Sequence, residues 1–262
     1  MCYFSFALCG YLLSKRPVLR IIVIYGGCLI DYCYFCDVIH HKYDIMNRLS
    51  VSRIASLPTA AANVPAMFDA MGVAFSSIAT VNWPAEYPYC PEAAFRAAWS
   101  PEGLVLHYRV NEQSVRAHYA EDGGKVWTDS CVECFVRNAD DDTYYNIECN
   151  CIGTLLAASG NGRHNRVPVA PELRSAVLRW ASLGSEAFEE RHEPTAWEVA
   201  LVIPVALFAA HPLRLEAGAT LRANFYKCGD ELSVPHFLSW NPIKVPEPDF
   251  HRPEYFGELE LM

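Results

Sequence analysis

Glu133 and Glu148 lie in CVECFV and TYYNIECN, two runs rich in aromatic and β-branched residues. Between them the polar stretch Asn138, Ala139, Asp140, Asp141 and Asp142 has the chemistry of a turn. Two strands joined by a tight loop follow from that pattern. Facing residues in an antiparallel hairpin keep a constant index sum. A hairpin closing about Asp140 and Asp141 therefore sets Glu133 opposite Glu148, Cys131 opposite Asn150 and Phe135 opposite Asn146. Two carboxylates facing each other across a strand pair repel, so this register calls for an arginine, a cation or a hydroxyl-rich ligand between them. Trp127 and Asp129 stand just upstream. An aromatic ring beside acids and amides suits a sugar, because the ring covers the C–H face of a pyranose while the polar groups take its hydroxyls.

The elements that must position these residues read as an all-β chain from Met46 onward. Asn63–Ser77 carries apolar residues at helical spacing, with Asn63 as N-cap and Pro65 in the first turn, and predicts one short helix. Short strands are predicted over 95–99, 104–110 (a clean alternation, LVLHYRV) and 114–119. After the hairpin, further strands are predicted at 154–158, 176–183, 197–203, 221–226 and 257–261, with a single helical turn after Pro204. Roughly ten short strands at such spacing imply an antiparallel β-sandwich of the immunoglobulin or jelly-roll kind with one or two short helices. The polar loop Ser159–Arg174 is long for a compact domain, and such loops on sandwiches often carry function.

Residues 1–45 differ in kind. They hold Cys2, Cys9, Cys28, Cys33 and Cys36, five of the eleven cysteines, in an apolar run without clear periodicity. Lys15 and Arg16 come after the first apolar stretch, the wrong order for a signal peptide, and Val18–Ile30 is short for a membrane span. The expectation is an extension outside the domain, with translation starting at Met46 and the domain occupying 46–262. A chain starting at Met46 would be cytoplasmic and without a membrane partner; a genuine 1–45 segment would make it anchored or exported.

The formal net charge is −9. An acidic domain with no basic stripe repels phosphate backbones, so nucleic acid is not expected as a partner. Cys131 and Cys134 point to opposite faces of a strand, and Cys149 and Cys151 lack zinc-ribbon spacing, so these read as core thiols and no metal site is expected. Asp140–Asp142 offers oxygens to calcium, but successive acids in a turn are more often solvated.

Five separate segments carry a resemblance: WTDSCVE followed by YYNIECNCIGT, then WEVALVIP, then RANFYKC, SWNP and FHRPEYFG. In order and spacing, over most of Ile54–Leu261, they resemble the family 9-like carbohydrate-binding modules among the DOMON-like sandwiches. The resemblance implies a β-sandwich that binds a mono- or oligosaccharide without catalysis. Its site would use two aromatic side chains plus an acid and amides, with no cofactor beyond an occasional structural calcium. Carried over, Trp127 is one aromatic wall, Glu133 a hydroxyl acceptor and Asn224 an amide on a late strand, with Tyr226 and Trp240 as candidates for the second wall. The expected sugar-contacting set is thus Trp127, Asp129, Glu133, Glu148, Asn150, Asn224, Tyr226 and Trp240. Two other classes compete. One is an interaction scaffold in which Trp127 caps the core and Glu133 pairs with Arg109 or Arg222. The other is a glycoside hydrolase, for which no independent catalytic motif such as GxSxG or HExxH is present.

Overall fold

The protein is described from a computed structural model. It describes residues 46–262 and, as strand assignments only, 19–25 and 28–34, which pair antiparallel. Met1–Ile45 and Met46–Met262 are separate compact units. The remaining expectations for 1–45 lie outside the described residues. Among the described residues no helix is long and apolar enough to cross a membrane.

Alternating sequence builds the strands of the larger unit, and two sheets sandwich its core. The main strands are β1 (Arg48–Arg53), β2 (Glu92–Ser100), β3 (Gly103–Glu112), β4 (Cys131–Asn138), β5 (Tyr144–Asn150), β6 (Leu155–Gly160), β7 (Leu178–Ala181), β8 (Thr195–Pro204), β9 (Thr220–Cys228) and β10 (Gly257–Leu261). The first sheet runs β6-β5-β4-β9-β10-β1 and the second β1-β2-β3-β8-β7. β1 belongs to both, pairing with β10 through Arg48–Val51 and with β2 through Ser52 and Arg53. Both pairings are parallel, so the sandwich is mixed rather than wholly antiparallel. The reason is local: a strand that turns the corner between sheets lies beside the chain's last strand, and no hairpin constrains its direction.

Val132, Cys134 and Val136 of β4, Tyr145, Ile147 and Cys149 of β5, and Leu221, Ala223 and Phe225 of β9 face the inter-sheet core. There they meet Phe95, Leu106, Tyr108 and Val199 of the second sheet, with Phe95 stacked on Phe225 at 3.6 Å. The predicted helix forms as α1 (Val64–Met71) and stops earlier than Ser77, because Gly72 takes φ +66° and closes it with a left-handed cap. Its Val64 and Phe68, four apart, cover the outer face of the second sheet with Ala98, Val105 and Ala200. Asn63 occupies the N-cap position without a side-chain cap hydrogen bond. The turn expected after Pro204 is the 3-10 helix Val205–Phe208.

The outer face of the first sheet is the one that matters for function. In most sandwiches such a face meets water; here Cys131, Phe135, Tyr144 and Tyr226 are buried beneath Trp83, Ile243, Phe250 and Phe256. The covering segments come from before β2 and from the chain between β9 and β10. CVECFV and YYNIECN are therefore buried on both sides.

Candidate functional site

The hairpin closes in the register its turn dictates: Glu133 pairs with Glu148, Phe135 with Asn146 and Cys131 with Asn150. Neighbouring strands extend the rows. Leu156, Glu148, Glu133 and Tyr226 form one row across β6, β5, β4 and β9, and Asn150, Cys131 and Cys228 form the next across β5, β4 and β9. Above these rows, between the sheet and its cover, lies a cavity of about 390 Å³. That volume falls in the range of small-ligand sites.

Glu133 and Glu148 line the cavity floor, each 3% exposed. Glu148 Oε1 accepts a 2.7 Å hydrogen bond from Asn146 Nδ2, whereas Oε2 is buried without a partner. Glu133 Oε1 accepts from the Cys228 thiol at 3.2 Å. Burial, then the facing Glu148, holds the Glu133 carboxyl well above the usual carboxylate range. Burial likewise pushes Glu148 up to about 7, against the hydrogen bond from Asn146 and the charge of Arg166. Asp230, just beyond β9, lines the same cavity and is pushed up to about 7 by burial. Three carboxyls thus crowd one small volume and resist ionising together.

Trp127 sits half-buried on the 3-10 turn Val126–Thr128 and supplies one wall. Its carbonyl accepts the Asp230 N–H at 3.1 Å, tying the turn to the end of β9. Phe237 and Phe250 supply aromatic surface from the covering segments. Phe250 lies flat on Tyr226, with centroids 4.2 Å apart and planes at 10°, and meets Phe237 edge-on at 6.1 Å.

The loop between β6 and β7 closes another side with Arg163, Arg166 and Arg174. Arg166 donates from Nε to Asn146 Oδ1 at 2.8 Å and from its other nitrogens to the carbonyls of Gly162, Tyr144 and Ala158. Its guanidinium lies 4.3 Å from the centre of the Tyr144 ring. That network orients Asn146, and through it Glu148. Arg163 donates to the Pro248 carbonyl at 3.2 Å, linking this loop to the cover. His251 also lines the cavity; burial and nearby arginines hold its pKa down to about 3, so the ring is neutral, and its Nδ1 is hydrogen-bonded with the Tyr144 hydroxyl at 2.7 Å.

The other expected contact residues lie around the cavity rather than along it. Asp129 is fully buried and accepts from the backbone N–H groups of His118 and Tyr119 and from Asn150 Nδ2. Asn150 also accepts from Ile152 and Thr154 N–H, which organises the turn after β5. Asn224 is spent on the backbone of Asn241, in both directions, and on Phe225 N–H. Tyr226 lies under Phe250 and donates to its carbonyl at 3.1 Å. Trp240 packs in the inter-sheet core at the edges of Phe95 and Phe225, its ring so close over Gly257 that any Cβ there would collide. Neither arginine considered as a partner for Glu133 serves it: Arg109 pairs with Glu198 at 2.8 Å and Arg222 with Glu258 at 3.1 Å.

Arg163, Arg166, Arg174, Asp230, Phe237, Phe250 and His251 were not among the contacts expected from the sequence. The signal for the arginines was the length and polarity of the Ser159–Arg174 loop. For Phe250 it was the Pro-rich run 242–253, which cannot form a central strand.

As for metals, Cys131 Sγ, Glu133 and Cys228 Sγ offer donor atoms within 4.8 Å of one another. Cys131 and Cys228 face each other on β4 and β9, and both are free thiols. Burial pushes the Cys131 thiol up to about 12 and Cys228 well above its ordinary value, so both carry their protons. In the Asp140–Asp142 turn, Asp140 pairs with Arg214 and Asp141 accepts from Asn138 Nδ2 at 2.6 Å.

A mixed β-sandwich whose outer face carries a covered aromatic and carboxyl cavity defines a small-molecule binding domain. Its residues 62–261 match carbohydrate-binding family 9, and the chain belongs to that family. The fold of a protein from Bacteroides uniformis, described as a proposed carbohydrate-binding protein, is similar at 44% identity and a TM-score of 0.79. The match covers 83% of this chain and all of that one. Two structures of a family 9 module from Caldicellulosiruptor kristjanssonii, in complex with glucose and with cellotriose, share the fold at 13% identity. Their TM-scores are 0.54 and 0.52; each match covers 82% of this chain, and 96% and 93% of the module. The comparison with curated proteins gave no match.

Proposed function

We propose that this domain binds the terminal part of a saccharide, without catalysis, in the cavity between the first sheet and its cover. One observation carries the reading: in a chain of carbohydrate-binding family 9, a covered cavity of about 390 Å³ sets the Trp127 ring beside two facing carboxyls. The sugar ring lies on Trp127 with Phe237 and Phe250 bounding the other side. Glu133 and Glu148, held by the sheet, accept hydroxyl hydrogens, and the unpartnered Glu148 Oε2 gains a hydrogen bond when the ligand enters. Glucose and cellotriose, the ligands of the two Caldicellulosiruptor complexes, are the first to test.

Calorimetric titration of residues 46–262 with both sugars tests the proposal. Trp127→Ala is expected to weaken binding by about 2–4 kcal/mol, the scale of a hot-spot truncation, while the thermal midpoint stays near that of the parent. Absence of binding to any mono- or oligosaccharide, together with a collapsed melt for Trp127→Ala, would make the tryptophan a core residue and return the scaffold reading.

A further inference from the structure

We infer that the cavity prefers a sugar carrying a protonated amine over the corresponding neutral sugar, with the ammonium seated between Glu133 and Glu148. The inference rests on the sugar-binding reading and names the ligand class more narrowly.

Three observations lead there. The register is fixed: Glu133 and Glu148 are direct cross-strand partners in the middle of a sheet, so they cannot move apart without breaking the β4–β5 ladder. The pair is incompletely satisfied. Glu148 is 97% buried, faces the cavity and leaves Oε2 without a partner, while Glu133 has only a weak thiol donor on Oε1. A buried carboxyl oxygen with no donor is a vacancy for one, and an ammonium brings three N–H donors and the charge that two facing carboxylates lack.

Arg163, Arg166 and Arg174 line the cavity, yet among the described residues none of them forms an ion pair with Glu133 or Glu148. Arg166, the nearest in effect on Glu148, spends its donors on Asn146 Oδ1 and three carbonyls. Arg163 reaches the Pro248 carbonyl and lies 4.0 Å from Asp249. Lys227 points into the other face of the sheet, where it pairs with Glu112. Asp230 adds a third acid on the same cavity. A neutral hexose meets these groups only as hydroxyl donors and leaves the mutual repulsion of the carboxyls to a shared proton. An amino sugar replaces that proton with a fixed charge, and its ring still lies on Trp127.

The test is a competition at pH 7 in the presence of EDTA, using glucose, glucosamine and N-acetylglucosamine with the parent domain and Glu148→Gln. Glucosamine is expected to bind at least tenfold more tightly than glucose, and N-acetylglucosamine, which has the substituent without the charge, no more tightly than glucose. In Glu148→Gln, checked for folding by its melt, the glucosamine-to-glucose ratio should fall toward one. Glucose binding as tightly as glucosamine would overturn this inference and leave the sugar-binding reading standing. An unchanged ratio in Glu148→Gln would overturn the carboxyl pair as its cause. Failure of all three sugars to bind would overturn both readings.

Discussion

Glu112, from β3 of the second sheet, meets the inner side of the first sheet, whereas Glu133 and Glu148 lie on that sheet's outer side, and the two settings are built in opposite ways. On the inner face Glu112 and Lys227 are both fully buried. Lys227 Nζ lies 2.9 Å from Glu112 Oε2, off the hydrogen-bonding line, so charge rather than a directed bond joins them. Around them Trp197 Nε1 donates to Glu112 Oε1 at 2.7 Å, Lys227 donates to the Cys228 carbonyl at 2.8 Å, and His236, whose pKa is held well below its usual value, takes the lysine proton side at 2.7 Å. On the outer face Glu133 and Glu148 meet another acid instead of a base, and one oxygen has no partner. In the inner cluster Glu112 Oε2 also lacks a directed hydrogen bond, but the lysine charge lies against it and Glu112 does not line the cavity. The outer one opens on a cavity with unmet hydrogen-bonding capacity, which is how a buried polar group comes to serve binding rather than packing.

This contrast fixes the order of expected effects. The largest belongs to the inner cluster: Lys227→Ala leaves Glu112 charged or unpaired in the core and is expected to destabilise the domain by about 3–5 kcal/mol, measured by denaturant unfolding. A loss under 1 kcal/mol would show that water reaches Glu112 and that the two faces differ less than described.

The opposite sign is expected on the outer face. A carboxyl whose folded pKa is raised binds more protons folded than unfolded, so its contribution falls as pH rises from the unfolded value near 4.5 to the folded value of about 7. Glu148→Gln removes that dependence. Glu133, Asp230, Arg166, Asn146 and Leu156 surround the position, and His251, which becomes harder to keep neutral as pH falls, acts in the reverse direction in both proteins. The comparison therefore uses the difference between variant and parent. The variant should gain on the parent by up to a few kcal/mol between pH 5 and pH 8. Parallel melting curves across that range would contradict the raised Glu148.

How far the sequence carried the argument depends on distance along the chain. The Glu133–Glu148 register was legible because the turn is five residues long and index arithmetic does the rest. Trp127 was legible because it sits within the same local segment. The cover was not, since Trp83, Ile243 and Phe250 reach the sheet from remote parts of the chain, and alternation cannot say that an outward face is capped. Asn224, Tyr226 and Trp240 were expected as contact residues through the family resemblance, which likewise does not show what packs over them. Their spatial neighbours Asn241, Phe250 and Gly257 occupy their polar groups and ring faces instead. β1 escaped because RLSVSR is short and polar and pairs in parallel with the last strand, the least local pairing in the domain.

A crystal of residues 46–262 soaked in glucose tests the central claim most directly. The account predicts the pyranose inside the cavity, one face against the Trp127 ring, with a hydroxyl within hydrogen-bonding distance of Glu148 Oε2. Glucose bound elsewhere on the surface, with the Glu133–Glu148 pair untouched, would contradict it.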